Sequence, residues 1–155
     1  MSDVFTKAKR SEVMSRVRSH GNKDTEVVLA RLMRAEGITG WRRQLAVKFQ
    51  VSGLEFQAAG RRRAQVRPDF VFPKARVAVF VDGCYWHGCP KHGTWPKQNA
   101  AFWRAKIEGN RARDRKVTRK LRAEGWTVVR IWEHALKKPG PVMARLRRAV
   151  GTMRL

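Results

Sequence analysis

The sequence predicts an α/β fold, with helices packed on a mixed central β-sheet in one domain. Three observations predict it. Arg76–Asp82 (RVAVFVD) and Trp126–Glu133 (WTVVRIWE) are near-continuous apolar runs of strand length, as buried strands require. Residues 25–36, 100–124 and 142–150 carry apolar side chains at helical spacing. The chain has 155 residues, enough to bury one modest core.

Along the chain, residues 1–24 are polar and basic and form a candidate arm, flexible or ordered by a partner. Ser11 is placed to cap a short helix bearing Val13, Met14 and Val17, which has little apolar surface to pack. Asp24 or Thr25 caps a helix through about Glu36, ended by Gly37, with Val28, Leu29, Leu32 and Met33 as its buried stripe. Trp41–Gln57 alternates loosely and reads as a hairpin turning at Ser52-Gly53. Gly60–Arg63 reads as a basic loop. Pro68 opens a short strand, Asp69–Phe72, and Pro73-Lys74 turns the chain into the RVAVFVD strand. A long helix is expected from about Ala100 to Glu124, ended by Gly125, with WTVVRIWE as the next strand. Lys137–Pro141 breaks the chain before a last helix with Val142, Leu146 and Val150. The organisation is therefore an arm (1–24), a core (25–138) and a C-terminal helix (139–155).

Charge narrows the function. Lys and Arg number 35 against 12 Asp and Glu, a formal charge of +23. Such an excess suits a polyanion, because Lys and Arg displace counterions from phosphates. A merely soluble basic protein, or a ribosomal or chromatin-like one, would also be this basic. The six tryptophans set this chain apart from those, since a charge carpet needs few large rings. No apolar run reaches the roughly 18 residues of a membrane span, and the first residues lack an apolar signal core. An intracellular protein, cytoplasmic and away from membranes, is expected. Two cysteines five positions apart make a poor disulfide framework and point to metal.

Several acids stand where chemistry would need them. Asp69 precedes one strand and Asp82 ends the next. If the two strands pair as a hairpin, both carboxylates reach one sheet end, an arrangement that suits Mg²⁺. Such an ion activates water and stabilises charge on a phosphate being cut. The structural alternative is an Asp69 that caps a turn and an Asp82 that faces solvent. Glu26 lies on the same helix side as Leu29 and Met33; it either serves the helix dipole or leans toward the metal. On the long helix, Trp103, Ile107, Asn110, Asp114, Val117 and Leu121 share one face. Asn110 and Asp114 interrupt that apolar stripe and need partners. Asp114 has two readings, an ion pair with a nearby arginine or the orientation of a water or histidine at the metal.

Phe80–His92 (FVDGCYWHGCPKH) holds both cysteines and two of the four histidines. Cys84, Cys89 and His92 supply three ligands in nine residues, and Zn²⁺ takes four in a structural site. His134, just after WTVVRIWE, is the favoured fourth ligand, with His87 its rival. If His134 ligates, His87 is left beside the carboxylates as a general base or acid. A reduced cysteine pair without metal is the plain alternative. Tyr85, Trp86 and Trp103 either pack in the core or stack on and wedge between bases. A wedge costs less at a mismatch and can thereby select damaged DNA.

RPDFVFPKARVAVFVDGCYWHGCPKHG, FWRAKIEGNRARDRKVTRKLRAEGW and VVRIWEHAL, with KRSEVMSRVRSHGNKDTE near the start, closely resemble the very short patch repair (Vsr) endonucleases. The resemblance covers most of residues 7–138. It implies a restriction-endonuclease-like fold with a structural Zn²⁺. It also implies a Mg²⁺-dependent nick on the 5′ side of the thymine in a T:G mismatch, the product of 5-methylcytosine deamination. By matching motif, Asp69 and the main-chain carbonyl of Val81 hold the Mg²⁺, His87 is the catalytic histidine, and Glu26 and Asp114 are supporting acids. Cys84, Cys89, His92 and His134 fall on the zinc positions. Tyr85, Trp86 and Trp103 match the wedging aromatics, Met14 matches a residue entering from the other groove, and Lys106 and Asn110 fall where the mismatch is read. The implied partners are double-stranded DNA with a T:G pair and mismatch-repair proteins, in a bacterial, nucleoid-associated setting; a monomer is expected.

Asp82 departs from the family, standing where its best-known member has a histidine. Its role is open among metal ligand, base or neither. The zinc set has altered spacing, residues 48–66 look longer than the usual link before Pro-Asp, and the lysine common after the second acid in restriction-type nucleases is absent. Two other functions compete: a restriction-type nuclease with another target, and a non-catalytic, zinc-stabilised nucleic-acid-binding protein.

Overall fold

The computed structural model describes residues 25–50, 63–93 and 97–151, with the isolated positions 6 and 8. The arm, Met14 and the Ser52-Gly53 turn lie outside the described residues.

Helix α1, Glu26–Ala35, begins after Thr25, and Gly37 follows it at a positive φ of 68°. Leu29 and Met33 are fully buried, and Val28 and Leu32 pack beside them. The sheet orders its strands β1-β4-β5-β6: Arg42–Arg43 (β1), Phe70–Phe72 (β4), Val77–Asp82 (β5) and Thr127–Trp132 (β6). β4 and β5 are antiparallel, joined by the Pro73–Arg76 turn, and β5 and β6 are parallel from Val77↔Thr127 to Asp82↔Trp132. The sheet is therefore mixed, with RVAVFVD inside it. The parallel connection is made by helix α2, Ala100–Ala123, because parallel strands need a crossover.

The expectation for 41–57 needs correcting. Arg42–Arg43 joins the main sheet, while β2 (Val47–Gln50) pairs antiparallel with β3 (Arg63–Val66) as a separate ribbon. Arg63 thus opens a strand where a loop was expected. At the C-terminal end, Glu133–Lys137 forms an unforeseen 3₁₀ turn, and helix α3 starts at Gly140 and runs to Gly151. Pro141 is compatible with that first turn, where its missing N–H has no intrahelical partner to lose.

Strand alternation sorts the core into two layers. Phe70, Phe72, Val77, Val79, Val129 and Ile131 face α1 and α3, meeting Leu29, Met33, Met143 and Leu146. Val71, Ala78 and Val128 face the other way, toward Leu121 and Val117 of α2 and Val47 and Phe49 of the ribbon. Burying each large apolar side chain is worth about 1.5–3 kcal/mol, so these layers fix the sheet between its helices. Asp82 and Arg130 have the parity of Ala78 and Val128 and therefore share the α2 side. No helix among the described residues is long and apolar enough to cross a membrane.

Candidate active site

The C-terminal end of β5, the start of β4 and the start of α1 converge with α2 around one cavity of about 670 Å³. Its walls include Glu26, Asp69, Val81, Asp82, Tyr85, Trp86, His87, Asp114 and Arg130. The antiparallel β4–β5 pairing brings Asp69 and Asp82 to the same end of the sheet, as the hairpin reading expected.

Asp69 Oδ2 accepts a hydrogen bond of 2.7 Å from the Val81 main-chain N–H. Burial pushes the Asp69 carboxyl up to about 7; the Val81 hydrogen bond opposes this, and the charge and hydrogen bond of neighbouring Glu26 add to it. Two carboxyls so close share a proton more readily than they share two negative charges, unless a cation joins them. Glu26, 4% exposed, also accepts from Arg43 Nη2 at 2.9 Å. Glu26 is thus buried against the cavity rather than spread along the helix dipole.

His87 is the centre of a second group. Its Nδ1 lies 2.5 Å from Asp114 Oδ2 and 3.6 Å from Asp82 Oδ1. Burial pulls the imidazole down, but the Asp114 hydrogen bond and the charges of Asp82 and Asp114 outweigh it, and its pKa ends above the ordinary value. Asp82 is gripped by Arg130, whose Nη1 donates to both carboxylate oxygens at 2.9 and 3.1 Å. Burial raises the Asp82 pKa and Arg130 works against that rise. The Asp114 carboxylate meets both expected kinds of partner, His87 Nδ1 at 2.5 Å and Arg130 Nη1 at 3.6 Å, and Arg130 Nη2 also donates to its main-chain carbonyl at 3.3 Å. Arg130 was missed in the sequence. Its signal was a charged side chain inside an apolar strand, which must find a partner.

The loop after β5 folds as a knuckle of tight turns, including Cys89 N–H to Cys84 C=O at 2.9 Å and Gly93 N–H to Cys89 C=O at 2.8 Å. It brings Cys84, Cys89, His92 and His134 together, all ligand atoms within 4.8 Å of one another. His134 Nδ1 lies 3.3 Å from Cys84 Sγ and 3.5 Å from Cys89 Sγ. Zn–S bonds near 2.3 Å and Zn–N bonds near 2.0 Å at tetrahedral angles separate such ligands by about 3.5 Å. The donor set therefore fits a tetrahedral metal of the zinc type. His87 lies outside this cluster, in the Asp82–His87–Asp114 group.

The aromatic residues form a cluster at the same end. Tyr85 and Trp86 meet at 5.1 Å and 88° between ring planes, and Trp103 lies 5.9 and 6.0 Å from them. Trp103 is buried, while Phe102 beside it is 60% exposed. Phe102 was not singled out in the sequence, where one more aromatic on a helix gives no sign of facing outward. Asn110 Nδ2 donates to the Trp86 carbonyl at 3.0 Å, so the stripe-breaking asparagine anchors the aromatic loop. Lys106 is exposed on α2.

A family model described as DNA mismatch endonuclease Vsr matches residues 2–92. The chain belongs to the Vsr family. Its similarity to this family's relatives extends well beyond that segment. It is 34% identical over 149 residues to the type II nicking enzyme V.XorIIP of Xanthomonas oryzae pv. oryzae, covering 95% of this chain and 96% of that protein. It is 34% identical over 143 residues to the DNA mismatch endonuclease Vsr of Escherichia coli K12, covering 88% and 77%. The type II nicking enzyme V.NaeI of Lentzea aerocolonigenes is 50% identical over a shorter stretch of 70 residues, 45% of this chain and 42% of that protein. Membership in the Vsr family makes the chain a DNA endonuclease, and its mixed α/β sheet carries two groups of residues able to hold metal ions or move protons.

Proposed function

We propose that this Vsr-family chain nicks one strand of duplex DNA on the 5′ side of the thymine in a T:G mismatch, and so starts very short patch repair. The observation that carries the reading is the gathering of Asp69, Glu26, His87 and Asp114 around one cavity, beside an aromatic cluster. It is supported by relatives named as nicking enzymes and as a mismatch endonuclease.

Asp69, with the Val81 carbonyl, would hold a Mg²⁺ ion, which when bound would supply Lewis-acid stabilisation of the phosphate and a more acidic water. The chain's own groups do the rest. The Val81 N–H fixes the Asp69 carboxylate, and Glu26, held by Arg43, adds negative charge beside it. Asp114 engages Nδ1 of His87, which leaves Nε2 as the nitrogen able to take a proton from the attacking water. A carboxylate on the far nitrogen strengthens that base. Cys84, Cys89, His92 and His134 would hold a structural Zn²⁺, which would stiffen the loop that carries His87. Tyr85 and Trp86, backed by the buried Trp103 and with Phe102 at the surface, open the duplex; Met14 and Lys106 serve the mispair, and Asn110 serves it through the Trp86 loop it anchors.

The test is cleavage of end-labelled duplexes that differ at one pair, T:G against T:A, with and without Mg²⁺. A single nick 5′ of the mispaired thymine, absent from T:A and absent without the cation, is expected. Cutting of both strands of matched duplexes would favour a restriction-type nuclease instead. Binding without cleavage under any metal would favour a non-catalytic binder.

A further inference from the structure

His87 offers one nitrogen, Nδ1, to two carboxylates, and the distances are unequal: 2.5 Å to Asp114 and 3.6 Å to Asp82. Something must settle this competition, because both acids stand within reach and a single N–H makes one strong hydrogen bond. Arg130 stands where that choice is made. Its Nη1 donates to both oxygens of Asp82 at 2.9 and 3.1 Å and lies farther, 3.6 Å, from Asp114 Oδ1; its Nη2 donates to the Asp114 carbonyl, and its Nε to Thr118 Oγ1 at 2.9 Å. The guanidinium also sits 4.4 Å over the Phe80 ring, and Arg145 Nη1 donates to its main-chain oxygen at 2.8 Å. A planar, five-donor cation held on so many sides has little freedom to release its partner.

We infer that Arg130 is a positioning residue of the nuclease: by occupying both oxygens of Asp82, it withdraws that acid from chemistry and leaves Asp114 as the sole partner of His87. Asp82 is 6% exposed, so an unpaired charge there would be costly and would turn to the next available donor, His87. Drawing His87 toward Asp82 would take its ring away from the orientation Asp114 sets. The same grip on the Asp114 carbonyl and on Thr118 ties α2 to β6 at the level of the histidine. This answers the open role of Asp82: it is neither base nor metal ligand, but the counter-charge that keeps Arg130 in place.

The inference deepens the proposed nicking reaction and rests on it for its kinetic test. Charge logic supplies that test. Arg130→Met strands Asp82 and is expected to lower the single-turnover nicking rate at saturating DNA about 10- to 100-fold, the usual cost of losing an orienting partner. The DNA concentration for half-saturation should stay close to that of the wild type, because Arg130 acts on His87 rather than on DNA. Arg130→Met with Asp82→Asn removes the stranded charge and should recover most of the lost rate. A purely structural role for the ion pair predicts the reverse, a double variant as slow as the single one or slower.

A second readout needs no activity. In ¹⁵N-histidine spectra of the intact protein, the hydrogen-bonded Nδ1 proton of His87 should persist in Asp82→Asn and vanish in Asp114→Asn. In Arg130→Met it should shift or broaden, and the double variant should restore it. An Arg130→Met protein with an unaltered His87 resonance would overturn the inference. So would a double variant that regains neither the resonance nor the rate. Should the wild type prove inactive on T:G duplexes, the nicking proposal fails, while the spectra still decide the role of Arg130.

Discussion

At the scale of the residue, chemistry is set by which carboxylate touches which partner. Asp69 and Glu26 crowd together and hold a proton up to about 7 on the Asp69 side, the environment a divalent cation relieves. His87 is raised against its own burial by Asp114 and Asp82. Asp114→Asn removes a hydrogen bond and a charge that both raise the His87 pKa. Nicking that needs a neutral Nε2 climbs as pH rises through that pKa. The acid limb of the pH–rate profile, measured at saturating Mg²⁺, is therefore expected to move to lower pH in Asp114→Asn. The plateau should drop about 10- to 100-fold. A limb that stays put or moves upward would contradict the assigned role. Asp69, Asp114 and Asn110 were legible in the sequence because each breaks a pattern: an acid ahead of an apolar strand, or polar groups in an apolar helical stripe. Asp82 was legible as a position and not as a role, since its partner Arg130 lies 48 residues away and only the β5–β6 register brings them together.

At the scale of the element, the β4–β5 hairpin, the knuckle and α2 make the site. The hairpin, the central strand and the long helix could be read directly, since continuous apolar runs and glycine stops are local signals. The β2–β3 ribbon could not. Its strands are four residues each, and Val47 and Phe49 pack with Leu121 of α2, a contact that no local pattern announces. The knuckle is packed tightly onto α2: Gly88 has φ +63°, and a Cβ there would lie 2.9 Å from Ile107 Cγ2. The loop's shape thus depends on its turns and on this packing. Cys89→Ser should remove the metal, measured by elemental analysis of the purified protein, and lower thermal stability by several degrees or more. A single structural zinc contributes on the order of 10 kcal/mol to folding in small domains. A metal-free Cys89→Ser protein with unchanged melting and full nicking would refute the zinc assignment.

At the scale of the whole molecule, the sheet divides labour between its faces. One face buries α1 and α3 in a large apolar layer; the other carries α2, the Arg130–Asp82 ion pair and His87. The active end lies where the strands β5 and β6 finish and the knuckle begins. The chain carries a formal charge of +23, which attracts DNA broadly, while its acids gather at one cavity able to hold a cation. The sign of the partner was legible from composition alone. The layering was legible from strand alternation. Which acids face which bases was not, because that depends on strand order and register, and local patterns do not encode either.

The central claim is that Asp69 and His87 serve one reaction in one cavity. Its most direct test is single-turnover nicking of an end-labelled T:G duplex in Mg²⁺ by the Asp69→Ala protein, with duplex binding measured in parallel. The account predicts that nicking falls by at least about 10²-fold while binding and melting temperature stay close to wild type. Nicking at the wild-type rate by a folded Asp69→Ala protein would contradict it.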